Sequence, residues 1–265
     1  MKVSEVGKEA LKDFYLLIMF FLVLTPFASI FYRALTTRTA WGTFFSGLKY
    51  YFEIPLGYWI SLRNSLLVGG ATALVDFVVA LPVAYVISRY KFPGRKLLAT
   101  MFIVPMFTPD VVAGIGLMLA YYLNYGLYGT WLGTILGLAS ISYPMMLIPL
   151  AVSIKVLDPV YEEAALTLGA NPLQVLFKVV LPLIGPGIYA GFFLTFVWSI
   201  NDYLLPLFIT GPGLDLMATK LYSDVRWWGL LGRVAAEASL LQLVSFGVML
   251  IYLKTVGKKL GGFAF

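Results

Sequence analysis

Apolar residues run along this chain in blocks too long for the buried face of a water-soluble helix or strand, and polar residues collect in the gaps between them. Six such blocks stand out, at residues 14–32, 62–88, 97–123, 129–156, 186–209 and 234–256. Each is long enough, at about 1.5 Å per residue, to cross most or all of a hydrocarbon layer roughly 30 Å thick. The pattern predicts an all-α membrane protein with six transmembrane helices. Pro26, Pro82, Pro144 and Pro149 fall inside blocks, which packed membrane helices tolerate when neighbours satisfy the freed carbonyls. Block 97–123 holds Pro105, Pro109 and Asp110 together, so its helix is expected to kink or break. The gaps at 33–61 (with Trp41, Tyr50, Tyr51 and Trp59) and 214–233 (with Trp227 and Trp228) are rich in rings suited to a lipid–water boundary.

One gap, residues 157–182, reads differently. Asp158-Pro159 suits a helix start, since Asp caps well and Pro fits a first turn. Glu162 and Glu163 then lie where the helix dipole favours anions. Ala164, Ala165 and Leu168 recur at helical spacing and give a small-residue face; Gly169 is a natural C-cap. Asn171-Pro172 starts a second short helix. A short amphipathic helix held between two spans is suited to inserting into a partner.

Charge orients the chain. If both termini are cytoplasmic, twelve of the nineteen Lys and Arg residues fall on the inner side, most clearly in the turn 89–96. Residues 157–182 then lie in the cytoplasm. The expected organisation is a cytoplasmic segment 1–13, a six-span domain 14–256 and a cytoplasmic tail 257–265, with no removable signal peptide.

Composition narrows the chemistry. Of 265 residues, 60% are hydrophobic and 12% charged, against about 25% charged in soluble domains. Neither Cys nor His is present, which removes disulfides, thiolate nucleophiles and imidazole acid–base chemistry. The six excess positive charges flank apolar blocks and form no nucleic-acid patch. No G-x4-G-K-[ST] loop is present to hold a nucleotide. An intramembrane aspartyl protease would need Tyr-Asp and Gly-x-Gly-Asp, whereas Asp76 follows Val75 and Asp202 follows Asn201. No catalytic residue and no metal site is expected.

Four acids lie in or beside the blocks. Asp76 and Asp110 fall about 20 Å from the inner ends, near mid-membrane. Asp202 forms a polar cluster with Ser199 and Asn201 in the outer third, and Glu237 is expected at the outer rim, paired with Arg233 four residues earlier. Charges at such depth face a bundle interior or a water-filled path. Asp202, Ser199 and Asn201 are therefore expected to line a translocation path, with Asp76 and Asp110 either joining it or bonding to neighbouring helices.

Glu163-Ala164-Ala165, then Gly169, then Val179-Val180-Leu181-Pro182 resembles the EAA-x3-G-x9-I-x-L-P motif of ABC importer permeases, with Val179 for the usual Ile. The resemblance, over about residues 60–256, implies the type I ABC importer permease architecture. It makes Glu162, Glu163, Ala164, Ala165, Gly169, Leu181 and Pro182 the region that docks on a separate ATPase. It further implies a dimer of ATP-binding cassette ATPases carrying ATP and Mg, and no cofactor on this chain. A second permease subunit, either a homologous chain or a second copy, and an extracytoplasmic substrate-binding protein complete the expected partners in the cell membrane. An ion channel or secondary transporter would leave that motif unexplained. Ser199-Ile-Asn-Asp202 with Phe208-Ile-Thr-Gly-Pro212 is similar to polyamine-type permeases, although Asn201 stands where they carry an acid. Trp198-Ser-Ile-Asn-Asp-Tyr-Leu-Leu-Pro206 is similar to sugar permeases, which differ from Thr167-Leu168-Gly169-Ala170. A small organic cation is the expected substrate, a carbohydrate the alternative.

Overall fold

The apolar blocks fold as helices, and among the described residues no strand occurs. The computed structural model describes residues 2–36, 54–229 and 232–259. Helices α1 (Lys2–Thr36), α2 (Leu56–Arg89), α5 (Trp131–Val156) and α11 (Gly232–Lys259) are unbroken. They run through Pro26, Pro82, Pro144 and Pro149. All four contain a stretch long and apolar enough to cross a membrane.

Two further blocks are bent. Helix α3 (Arg95–Ile103) passes into a tight 3-10 turn at Val104–Phe107, and α4 (Asp110–Ala120) sets off after Pro109. The two directions differ by 97°. Pro109 has an extended backbone, and Thr108 before it is extended as well, as the residue preceding a proline prefers. The second bend, 74°, separates α7 (Pro172–Leu183) from α8 (Gly185–Asn201). Counting each bent pair as one crossing gives up to six spans; counting only unbroken helices gives four. Between the bends and the ends lie α6 (Val160–Thr167), α9 (Leu204–Ile209) and α10 (Met217–Trp228). The expected continuous block 186–209 is thus interrupted at Asp202, whose extended backbone ends α8. Trp41, Tyr50 and Tyr51 lie outside the described residues, whereas Trp59 lies on α2 and is half exposed.

The described residues form two compact units: residues 57–222 with 243–259, and residues 2–36 and 54–56 with 223–229 and 232–242. Small residues set the packing of the larger one. Gly187 and Gly191 of α8 face α5. A Cβ on Gly187 would run into Ser153 and stand 2.8 Å from the Pro149 carbonyl oxygen; one on Gly191 would stand 2.6 Å from the Met146 sulfur. This is the small-xxx-small spacing that lets membrane helices approach closely. Gly69 of α2 likewise accepts Ile200, with Ile200 Cγ2 2.7 Å from where its Cβ would be. Two side chains of α2 tie down the segment before α10: Asn64 donates to the Asp215 carbonyl at 3.2 Å, and Ser65 accepts from the Met217 amide at 2.8 Å.

In the smaller unit, Ala34, Ala235 and Ala236 are buried together. Arg233 donates through Nε to Glu237 at 3.1 Å, the expected pairing four residues apart. Glu237 itself is fully buried, at 0% exposure. Its partner's side chain is half exposed. The long arginine stem lets the charged head reach solvent while the shorter carboxylate stays inside.

Candidate functional site

Helix α6 begins and ends on backbone logic readable from its residues. Asp158 Oδ1 accepts from the Val160 amide at 3.0 Å. At the far end Gly169 has φ +88°. Its amide donates to Leu166 at 2.9 Å and the Ala170 amide to Ala165 at 3.1 Å. That pair of hydrogen bonds is the Schellman arrangement, which needs a left-handed residue and so favours Gly. Asn171 then opens α7 with a reciprocal capping box: its side chain accepts from Gln174 N–H at 2.8 Å, and Gln174 accepts from Asn171 N–H at 3.0 Å.

The motif residues divide between two faces. Glu163, Ala164, Gly169 and Pro182 are exposed. Ala165 and Leu181 turn inward and pack against a core containing Met146, Leu150, Ile154 and Val180. Ala165 therefore does not share the outward face with Ala164 and Leu168, as their spacing suggested. Around the outward residues, Val160 (61% exposed), Leu168 (88%), Leu173 (67%) and Phe177 (61%) form an apolar surface beside Glu163.

Glu162 faces its own chain. It is 8% exposed and paired with Arg89, the last residue of α2: Arg89 Nε donates to Oε1 at 2.7 Å and Nη2 approaches the same oxygen at 2.6 Å. Arg89 Nη2 also donates to the Leu157 carbonyl at 2.9 Å, and Tyr85 donates its hydroxyl to Glu162 Oε2 at 2.7 Å. Both oxygens of this carboxylate are hydrogen-bonded, the condition under which a buried ion pair holds structure together. The linkage fixes α6 to the end of α2. Arg89 reads in sequence only as a flanking positive charge, and its partner lies 73 residues away. An acid directly before the motif glutamate is the one local hint.

The membrane acids are placed in two groups. Asp202 and Asp110 are near enough for their charges to interact. Asp202 Oδ1 accepts from the Leu204 amide at 2.9 Å and so caps the start of α9, while Oδ2 is buried without a partner. Asp110 lies in the first turn of α4, where the helix dipole favours a carboxylate. Asp76, by contrast, is buried on α2 (1% exposed) and accepts from the Ser142 hydroxyl at 2.5 Å. The Ser199–Asn201–Asp202 cluster points in several directions. Ser199 is buried and donates to the Thr195 carbonyl at 2.8 Å; Asn201 is exposed and donates to the Val197 carbonyl at 2.8 Å and to Ser245 at 3.1 Å. Among the described residues no group of three or more Asp and Glu could hold a metal ion.

Comparison with known proteins places this geometry. The profile described as "Binding-protein-dependent transport system inner membrane component" matches residues 53–255. Over 161 residues the chain is 36% identical to the sulfate transport system permease protein CysT of Salmonella typhimurium, a match covering 56% of this chain and 58% of that protein. The chain thus spans less than two thirds of that relative. Over 189 residues it is 30% identical to the spermidine/putrescine transport system permease protein PotC of Escherichia coli, covering 71% of this chain and 70% of that one. Among solved structures, a bacterial ABC transporter involved in the import of the acidic polysaccharide alginate superposes with a TM-score of 0.69, at 18% identity over 98% of both chains. The MetNI methionine ABC transporter gives 0.62 at 16% identity, over 75% of this chain and 94% of that one. With the profile covering most of the sequence and the polyamine permease matching beyond two thirds of both chains, this chain belongs to the family of binding-protein-dependent transport system inner membrane components.

Proposed function

We propose that this chain is the membrane-spanning permease subunit of an ATP-driven, binding-protein-dependent importer. In this reading it crosses the cytoplasmic membrane six times with both ends inside. It carries its permease domain over residues 14–256 and binds no cofactor. ATP and Mg belong to a partner ATPase dimer. A second permease subunit, homologous chain or second copy, supplies the other half of the path, and an extracytoplasmic binding protein delivers the substrate. The observation that carries the reading is the motif's outward face. Glu163, Ala164 and Gly169 stand exposed among large apolar side chains on a helix pinned to α2. An apolar face rimmed by a charge is the form of a docking surface.

Charge supports a cationic substrate. Residues 97–154 and 179–219 contain no Lys or Arg, yet they bring Asp110 and Asp202 within electrostatic range and leave Asp202 Oδ2 buried and unpaired. A cation would supply the missing charge, and in a low-dielectric site it gains more from a carboxylate than in water. Likeness to the spermidine/putrescine permease supports the same reading. The sulfate permeases are a competing comparison, but a dianion brought to these two carboxylates would be repelled. The carbohydrate alternative draws on the Trp198–Pro206 run and a fold likeness alone.

The test is uptake by cells carrying the assembled importer, with labelled putrescine and labelled sulfate. Putrescine uptake falling at least tenfold in Asp202→Asn, with the ATPase still bound, is the expected result. Sulfate uptake that survives the same substitution would overturn the cation reading.

A further inference from the structure

Asp76 lies on α2 with no basic side chain on the same face to balance it: residues 64–88 and 97–154, which supply its surroundings, contain neither Lys nor Arg. It borders a cavity of about 290 Å³ between α2, α3 and α5, distinct from the Asp110–Asp202 pair. Ser142 satisfies one carboxylate oxygen. Tyr143, 8% exposed, also borders the cavity, lies within electrostatic range of Asp76, and keeps its hydroxyl buried without a partner. Phe102 packs on Tyr143 with ring centroids 5.6 Å apart and forms part of the same wall. Val79 (49% exposed) and Met101 (61%) lie at the rim with exposed Ser140. A carboxylate costs free energy at this depth unless a counter-charge reaches it. One acid, two aromatic rings and an otherwise aliphatic lining form the kind of enclosure that holds an ammonium group by charge and cation–π attraction while its alkyl chain lies on apolar surface.

We propose that this cavity is a second cation subsite, taking a protonated primary alkylamine with its ammonium on Asp76 beside Phe102 and Tyr143 and its chain against Val79 and Met101. The amine has two sources, a transported organic cation or the ethanolamine headgroup of a lipid. The site rests on its own residues; calling it a stop on a transport route rests on the cation reading above.

The probe is radiolabelled n-butylammonium, measured by equilibrium binding to the full chain purified with its partners in phosphatidylcholine nanodiscs. Asp76→Asn is expected to weaken one class of sites at least tenfold, and Asp202→Asn a different class. Wild-type binding retained in Asp76→Asn overturns this proposal. Loss in Asp76→Asn with none in Asp202→Asn supports it and removes instead the cation reading of the Asp110–Asp202 pair. If Asp76→Asn does not fold, Ser140→Phe fills the rim from an exposed position, and undiminished binding there is equally fatal. Adding phosphatidylethanolamine to the nanodiscs assigns the source. Competition at the Asp76 site supports the headgroup, and its absence supports the solute.

Discussion

The buried link between Arg89 and Glu162 is the feature whose removal should be felt furthest from its own atoms. Their side chains are 13% and 10% exposed, so solvent screens them little. Truncating one partner of such a pair leaves the other charged and buried, which costs about 3–5 kcal/mol. In Glu162→Leu, Arg89 keeps only the Leu157 carbonyl and Tyr85 loses its acceptor. In Arg89→Leu, Glu162 keeps only Tyr85. Because the bonds join α6 to α2, the cost falls on the docking of α6 and not on its internal turns. Each tenfold change in an equilibrium corresponds to about 1.4 kcal/mol. Amides of residues 160–170 should therefore exchange with deuterium roughly two to four powers of ten faster in either single variant, up to the limit of an already undocked helix. The double variant Arg89→Leu/Glu162→Leu replaces the pair with apolar groups, which is often close to neutral. Its exchange should return most of the way to wild type, giving a coupling energy of about 2 kcal/mol or more. ATPase co-purification should be lost in the singles and regained in the double. Additive effects, within about 0.5 kcal/mol, would refute the argument, because they would mean the two side chains act independently.

Three further outcomes are expected. Gly169→Ala and Gly169→Asp carry a similar backbone cost of about 1–2 kcal/mol at φ +88°; with nothing within 4 Å of the added Cβ, only the Asp variant should abolish ATPase co-purification, and equal retention by both would remove the motif from the docking surface. Gly187→Val should sharply reduce the amount of folded chain in the membrane, since its Cβ meets Ser153 and the Pro149 carbonyl, whereas Gly70→Ala, with open space around it, should not. A cysteine at Asn171, in a chain without any other, should resist an impermeant thiol reagent added outside sealed cells, and labelling there would invert the proposed topology.

Much of this protein is written in local patterns. The apolar blocks, the caps at Asp158, Gly169 and Asn171, the break around Pro109 and the motif spacing all depend on residues within a few positions of one another. Backbone sterics, first-turn hydrogen bonds and hydropathy act over that range, so sequence alone determines them. Gly187 and Gly191 lie four residues apart and so share a face, but that this face packs on α5 is seen only in the structure. Other features belong to the tertiary structure. Ala165 turns inward while Ala164 turns out; Glu162 meets an arginine 73 residues away. Asp202 comes within charge range of Asp110 while Asn201 turns to Ser245, and Glu237 is fully buried. Sequence spacing tells which residues share a helix face, but not which neighbour that face meets. Where two helices pack decides whether a polar atom finds a partner or is left bare, and a carboxylate in a low-dielectric interior takes its meaning from that partner.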